Sequence, residues 1–182
     1  MTAKYLNARV ISFGDLVTDT GAVQLYPLGT RREEDGSTYR YVKRDDSTVA
    51  FASGDLVYRD AATTAGVYWE VSGDVSDHDP ALVAGVARSS IADAGFGWIL
   101  TKGVVTNLKK KNGTAAYSWR KGDVLIPGAA ASQDGYASRV VIAASTKVSA
   151  AELAAALERP IGWAVATATN SATSGSAIIE LE

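Results

Sequence analysis

The sequence predicts a mainly β fold: a small β-barrel or β-tulip-like body, one short inserted helix and an extended N-terminal arm. Three observations lead to this prediction. The 182 residues include 17 glycines, and short apolar stretches alternate with turn residues along most of the chain. Several stretches have a period of two, which is typical of half-buried strands. A Gly-Asp-apolar-apolar phrase opens two segments of similar order, which indicates two related β-units.

The first twenty residues contain apolar positions but little sustained alternation. We therefore assign residues 1–20 to an extended arm and residues 21–182 to a barrel-like domain. A frayed terminus is the alternative, because chain ends are often poorly ordered unless another element holds them.

Two hairpins are predicted from their turn residues. Asp35-Gly36 precedes an alternating stretch at residues 37–42, and both turn positions tolerate the positive φ that tight hairpins need. Asn112-Gly113 has the same property and lies between Val104-Val105 and residues 117–119. Both hairpins fit a body made of short antiparallel strands.

The two related β-units are predicted from matched segments. Each unit begins with a turn, Gly54-Asp55 or Gly122-Asp123, in which glycine permits an unusual φ and aspartate accepts backbone N–H groups. The matched segments, in order, are 54–57 with 122–125, 83–90 with 161–168, and 98–100 with 177–179. A structural role for these turns is favoured over a phosphate or metal loop, because no carboxylate cluster or Gly-rich cradle surrounds them.

One helix is predicted near residues 149–159. Ser149 and Glu152 have the spacing of a capping box, good helix formers follow, and Pro160 ends the run. A helix of about ten residues is marginal by itself. We therefore expect it to pack over one end or edge of the β-structure.

The composition excludes several kinds of chemistry. The chain contains no cysteine and one histidine, His78, which excludes disulfides, thiol catalysis and a multi-histidine metal site within one chain. The 18 basic and 20 acidic side chains give a net charge of −2, which disfavours nucleic acid or an anionic membrane as the main partner. The sequence has neither a signal peptide nor a bilayer-spanning stretch, so we expect synthesis in a cytoplasm.

We find no catalytic constellation, and we predict that the protein is not an enzyme and has no cofactor. An acidic cluster is the candidate for a hard cation: Asp74, Asp77, His78 and Asp79. Its spacing matches no EF-hand loop, which favours a solvated loop. Glu33 and Glu34, beside Asp35, are more typical of a soluble hairpin tip than of a glycosidase pair.

The basic side chains are concentrated in one segment. Between residues 94 and 122 there are six of them and no acidic side chain. Three lie directly before the Asn112-Gly113 turn: Lys109, Lys110 and Lys111. We expect a cationic tip that contacts an acidic partner surface, and a solvated hairpin whose lysines protect an edge is the alternative.

Four tryptophans fall in predicted strands: Trp69, Trp98, Trp119 and Trp163. We expect each of them in the core or in a subunit interface, because tryptophan contributes a large apolar area to both. A sugar-stacking platform is the alternative.

Short motifs in this sequence resemble those of the capsid-decoration (cement) proteins of tailed bacteriophages. In chain order they are Gly54-Asp55-Leu56-Val57, Ala84-Gly85-Val86-Ala87 and Thr101-Lys102-Gly103-Val104-Val105. Residues 28–32 and 39–43 also look like the opening of phage virion proteins encoded near the major capsid protein. The resemblance covers roughly residues 25–181 and is carried by short motifs of common residues.

The resemblance implies a structural protein that binds the outside of a phage capsid and stabilises it, with the virion exterior as its location. It implies the major capsid protein and further copies of this chain, as a homotrimer, as partners, without nucleic acid or membrane. The N-terminal arm would then supply capsid-binding residues: Tyr5, Leu6, Arg9, Val10, Ile11 and Phe13. The alternatives are another β-rich virion component, such as a head-fibre base or a tail protein, and a carbohydrate-binding module.

Overall fold

The computed structural model describes residues 16–45, 51–59, 68–74, 83–110, 118–127, 136–139, 160–169 and 171–181. These residues are mainly β and contain no helix. The helix predicted near residues 149–159 and the first fifteen residues of the predicted arm lie outside the described residues. The remaining arm residues, 16–20, include a turn in which Asp19 Oδ2 accepts the N–H of Leu16 at 2.7 Å.

Ten strands are present in the described residues. In chain order they are β1 (Arg31–Glu34), β2 (Ser37–Arg44), β3 (Leu56–Arg59), β4 (Glu70–Ser72), β5 (Val83–Ala87), β6 (Phe96–Lys109), β7 (Val124–Pro127), β8 (Ala137–Arg139), β9 (Gly162–Ala164) and β10 (Ser174–Glu180).

The predicted hairpin at Asp35-Gly36 is confirmed. Strands β1 and β2 pair antiparallel around it, with Glu34 opposite Ser37. Asp35 has φ of 49° and Gly36 has φ of 73°, so both turn positions occupy the left-handed region that this tight turn requires. The tip of the hairpin predicted at Asn112-Gly113 lies outside the described residues.

Five strands close into a β-barrel, which confirms the predicted barrel. Its strands follow the order β2–β4–β3–β5–β6, and β6 returns to pair with β2. All neighbours are antiparallel except β2 and β4, which are parallel. One apolar cluster takes residues from all five strands and therefore fills the barrel: Val42, Val57, Val71, Ala84, Ala87 and Ile99, with Phe51 and Ile91 from flanking loops.

Strand β6 has 14 residues and joins the barrel to the remaining strands of one ten-stranded sheet, a part that we call the second sheet. Its first half pairs with β2 and β5 in the barrel, and its second half pairs with β10 from Lys102 to Lys109. Gly103 lies between the two halves with φ of +130°, a conformation that residues with a Cβ rarely adopt. Any Cβ there would also lie 2.8 Å from the Cβ of Ser37. Glycine therefore permits the strand to change partners at this position.

The second sheet repeats the pairing order of the barrel. The second half of β6 pairs with β10, β10 with β9, β9 with β7 and β7 with β8, all antiparallel. An isolated parallel bridge from Lys110 to Ala137 returns from β8 to the end of β6. In the barrel, Arg44 and Val71 form the corresponding parallel contact between β2 and β4.

The two Gly-Asp turns have the same geometry, as their sequence predicted. Gly54 has φ of 93° and Gly122 has φ of 89°. Each following aspartate, Asp55 or Asp123, accepts through Oδ2 the N–H of the residue three positions earlier, at 3.0 and 2.7 Å. Each turn thus fixes the start of β3 or β7 by the same local hydrogen bonding.

The two glycines give a matched test of how the second half of β6 packs. A Cβ on Gly54 would overlap the backbone carbonyl of Asn107, whereas a Cβ on Gly122 would meet nothing within 4 Å. We predict that Gly122→Ala lowers the free energy of unfolding by about 1–2 kcal/mol through the positive φ alone. We predict that Gly54→Ala lowers the free energy of unfolding by about 1–3 kcal/mol more than Gly122→Ala does, because β6 must shift to make room for the Cβ. Urea denaturation measures both, and equal costs would contradict the close approach.

Candidate functional site

The acidic residues that the sequence singled out lie after β4 and at the end of β1. Asp74 follows β4, and its N–H donates to Ser72 Oγ at 3.1 Å; the other members of its cluster lie outside the described residues. Glu33 and Glu34 form ion pairs within their own strand, with Arg31 at 2.7 Å and Arg32 at 2.9 Å. Among the described residues, no three His, Cys, Asp or Glu side chains are grouped so that they would hold a metal ion.

A polar cleft of about 390 Å³ lies beside the hairpin tip. Both signs of charge line it, from Arg31 and Lys102 on one hand and Glu33, Glu34 and Asp35 on the other. Because opposite charges are interspersed, the cleft has no single-sign field to select a charged ligand.

No helix with the length and hydrophobicity of a bilayer span occurs in the described part of the chain.

Lys109 and Lys110 do not form the solvent-projecting tip that the sequence predicted. Lys109 Nζ lies 3.2 Å from Asp55 Oδ2 and 4.6 Å from the centre of the Tyr136 ring. Lys110 is 1% exposed, and its Nζ donates to the backbone carbonyl of Ala172 at 2.7 Å. Lys111 lies outside the described residues, so contact with an acidic partner stays a prediction there.

The register of β6 explains the positions of Lys109 and Lys110. The strand continues to Lys109, and the bridge from Lys110 to Ala137 draws the next residue into the end of the second sheet. Burial raises the pKa of the Asp55 carboxyl, and the ammonium of Lys109 opposes that rise. Lys109 therefore pairs with a buried carboxylate of the barrel, while about a third of its own side chain stays exposed.

A cluster of two arginines and two aromatic residues lies where β2, β3 and β4 meet. The guanidinium carbon of Arg40 lies 5.3 Å from the centre of the Trp69 ring, and that of Arg59 lies 5.0 Å from it. Arg59 also lies 4.0 Å from the centre of the Tyr68 ring and donates a hydrogen bond to the Tyr68 hydroxyl. We call these four residues the arginine–tryptophan cluster.

The strand order of the barrel creates this cluster. Arg40 belongs to β2 and Arg59 ends β3, while Tyr68 and Trp69 directly precede β4, which lies between those two strands. Gly29, at φ of +80°, makes room for the indole, since a Cβ there would overlap the Trp69 ring. The backbone at Gly29 therefore packs directly against the indole of Trp69, and this contact is present before any partner binds.

The electrostatics of the cluster favour an anionic partner. Burial and the neighbouring charge of Arg40 both lower the pKa of Arg59. The Nε of Arg59 is buried and has no hydrogen-bond partner among the described residues. Tyr68 is 60% exposed, so the cluster is open to solvent on that side. A carboxylate brought to this surface would accept hydrogen bonds from a guanidinium and reduce the repulsion between the two arginines.

The four tryptophans have different environments. Trp98 and Trp119 are buried in the apolar core, as expected, and Trp69 is half-buried in the arginine–tryptophan cluster. Trp98 and Trp163 lie in strands as predicted, whereas Trp69 and Trp119 lie outside the ten strands. Trp163 is 41% exposed on the outer face of the second sheet. Sequence alternation placed Trp163 on a strand, but the side of the sheet that stays open depends on long-range packing.

No protein-family model matches the sequence, and neither the curated proteins nor the solved structures include a significant match. The chemistry of the described surfaces therefore carries the functional interpretation.

The burial of Lys110 predicts an alkaline dependence of stability. Burial lowers the pKa of Lys110 below 10.5, so between that lowered value and 10.5 the unfolded chain binds more protons than the folded chain. Lys110 should therefore make a contribution to the free energy of unfolding that rises with pH through this window and levels off above it. We predict that Lys110→Met removes the rise, whereas Lys102→Met, at an exposed lysine, retains it. Urea denaturation at several alkaline pH values measures the slope, and equal slopes in wild type and Lys110→Met would refute the prediction.

Proposed function

We propose that this protein is a structural virion protein that binds the outer surface of a phage capsid and stabilises it. The resemblance seen in the sequence motivates the proposal, and the arginine–tryptophan cluster supports it as a preformed contact for another protein. The partners in this proposal are the major capsid protein and further copies of the chain, assembled as a homotrimer. Its location is the exterior of the virion, and it acts by binding without catalysis.

The observation that carries the proposal is the composition and rigidity of the cluster. Tryptophan, tyrosine and arginine are the residues that contribute most to the affinity of protein interfaces. Arg59 stacks on two rings and Gly29 leaves room for the indole, so these side chains lose little conformational freedom when a partner binds. An acidic surface on the capsid protein is the partner whose charge fits the cluster.

The finer features of the predicted fold belong to the same proposal. In it, the barrel and the second sheet are two related β-units, which their shared pairing order and their matching Gly-Asp turns support. The inserted helix near residues 149–159 packs over one end or edge of the β-structure, and the N-terminal arm reaches the capsid surface. The arm contacts are Tyr5, Leu6, Arg9, Val10, Ile11 and Phe13.

Cosedimentation with undecorated capsid shells tests the cluster. We expect the wild-type protein to pellet with shells, and we expect Arg59→Ala and Tyr68→Ala to bind at least about tenfold more weakly. The matched control is Arg120→Ala, because Arg120 is exposed and lies away from the cluster on the turn before β7. This control should bind like the wild type.

Each other outcome has a definite meaning. A wild-type protein that ignores shells overturns the capsid proposal, and assembly into rods or rings would then favour a tail or fibre component. Wild-type binding that survives both substitutions removes the cluster from the capsid contact. Binding to polysaccharide in place of shells would favour the carbohydrate-binding alternative.

Removal of the arm gives a separate prediction. A variant that lacks residues 1–15 keeps every described strand, so its thermal unfolding should match that of the full chain within a few degrees. We expect it to lose attachment to shells, because the proposed capsid-binding side chains of the arm are gone. Differential scanning calorimetry and cosedimentation measure the two properties, and unaltered attachment would refute the role of the arm.

A further inference from the structure

A small pocket lies between residues 19–25 and the start of β6. Four aromatic side chains line it: Tyr26, Tyr41, Phe96 and Trp98. Neighbouring rings in this group have their centres between 5.1 and 6.2 Å apart. Three of the four side chains are buried, and that of Phe96 is half-buried. We call the cavity that these rings line the aromatic pocket.

Backbone hydrogen bonds hold the wall of the aromatic pocket in place. The N–H of Gly21 donates to the carbonyl of Phe96 at 3.1 Å, and the N–H of Phe96 donates to the carbonyl of Gly21 at 2.8 Å. The N–H of Leu25 donates to the hydroxyl oxygen of Tyr41 at 3.2 Å. The pocket is therefore formed before a ligand enters it, so little conformational freedom is lost on binding.

The charge of the aromatic pocket is negative. Asp19 lines it, and none of the other described residues that line it is ionic. The Oδ2 atom of Asp19 accepts the N–H of Leu16 at 2.7 Å, which leaves Oδ1 for another donor. Burial raises the pKa of Tyr41, so its hydroxyl stays protonated and adds no second charge. Aromatic faces and a carboxylate both attract cations, so the electrostatics of the pocket favour a cation.

The volume of the aromatic pocket, about 30 Å³, limits the size of that cation. A single water molecule needs about 10–15 Å³ of such space. The pocket therefore has room for an ammonium group and an adjoining methylene, whereas a guanidinium group, an indole or a sugar ring is too large. Leu25 also lines the pocket and is 42% exposed, so it offers an apolar contact to the rest of an aliphatic chain.

One ring of the pocket already has a cation beside it. The guanidinium carbon of Arg32 lies 5.9 Å from the centre of the Trp98 ring, and Arg32 Nη2 lies 2.9 Å from Glu34 Oε2. Because Glu34 balances the charge of Arg32, this pair adds little repulsion toward a second cation.

We propose that the aromatic pocket binds the ammonium group of a lysine side chain on a partner protein. The rings attract the charge, Asp19 accepts a hydrogen bond from the ammonium group, and Leu25 packs against the methylenes. The site goes beyond the proposed function, because it takes a basic residue whereas the arginine–tryptophan cluster takes an acidic surface. The two sites together would select a partner with both signs of charge.

A titration followed by NMR on the isotope-labelled full chain tests the proposal. The probe is n-butylammonium, and n-butanol is its neutral counterpart. We expect n-butylammonium to cause saturable shifts in the amide signals of Gly21, Leu25 and Phe96, and n-butanol to bind at least about tenfold more weakly. N-acetyl-lysine N-methylamide should bind as n-butylammonium does, because its side chain has the same cationic end.

Two variants separate the parts of the site. Asp19→Asn should weaken n-butylammonium binding about two- to fivefold, because the charge is lost while the amide oxygen still accepts the N–H of Leu16. Phe96→Leu removes a π-face and stays apolar, so it should weaken n-butylammonium binding about two- to fivefold and leave n-butanol binding unchanged. Asp35→Asn is the matched control, since it removes the same charge outside the pocket at a positive φ that asparagine tolerates.

Each contrary outcome overturns the proposal. Equal binding of n-butylammonium and n-butanol does so, as does an Asp19→Asn variant that binds like the wild type. Binding of n-butylammonium without binding of the lysine derivative assigns the pocket to a free amine instead of a protein side chain. Binding that occurs only in the variant lacking residues 1–15 means that the arm of the same chain occupies the pocket. Attachment to capsid shells enters none of these measurements, so failure of the capsid proposal and failure of the lysine site are distinguishable.

Discussion

Both β-structures of this protein depend on strand β6, because one run of 14 residues supplies pairing to each of them. Its first half closes the barrel against β2 and β5, and its second half holds β10. The barrel and the second sheet therefore share one backbone segment, and one apolar core cluster takes residues from both of them. Gly103 makes the arrangement feasible, since it alone adopts the positive φ between the halves while the backbone passes close to Ser37.

In each of the two β-structures, a buried cation at a strand end donates a hydrogen bond to a backbone carbonyl of a loop. Arg44 ends β2 and donates to the backbone carbonyl of Ile91, and Lys110 follows β6 and donates to that of Ala172. Both are buried, and each bonds a loop that leads into the last strand of its sheet, β6 or β10. Because a buried charge is costly without a partner, these bonds tie the loops to the strand ends. The basic segment in the sequence is thus partly a structural device.

Two surface regions of the described residues differ in their chemistry. The arginine–tryptophan cluster is cationic, rigid and open at Tyr68, and it fits an acidic protein surface. The second sheet exposes three apolar side chains, those of Val104, Trp163 and Ile178. In the proposed assembly, self-association would present several arginine–tryptophan clusters to one capsid. Weak contacts that are repeated by symmetry bind strongly together, because the first contact raises the effective concentration of the next.

Local chemistry in the sequence determined the turns and the strands. The Asp35-Gly36 hairpin and the two Gly-Asp turns depend on residues that are near one another in the chain, and the structure has them at the predicted places. The alternating stretches at Trp98 and Ile178 are also strands, whereas Trp69 and Trp119 lie outside the strands. The order of matched segments also followed from the sequence, because each turn fixes where the next strand begins. Only the tertiary structure decided which strand partners and faces are used. Lys110 is buried, Arg59 lies beside Arg40, and Trp163 is exposed. Pairings between distant segments decide what covers each of these side chains, and the local sequence pattern contains no information about those pairings.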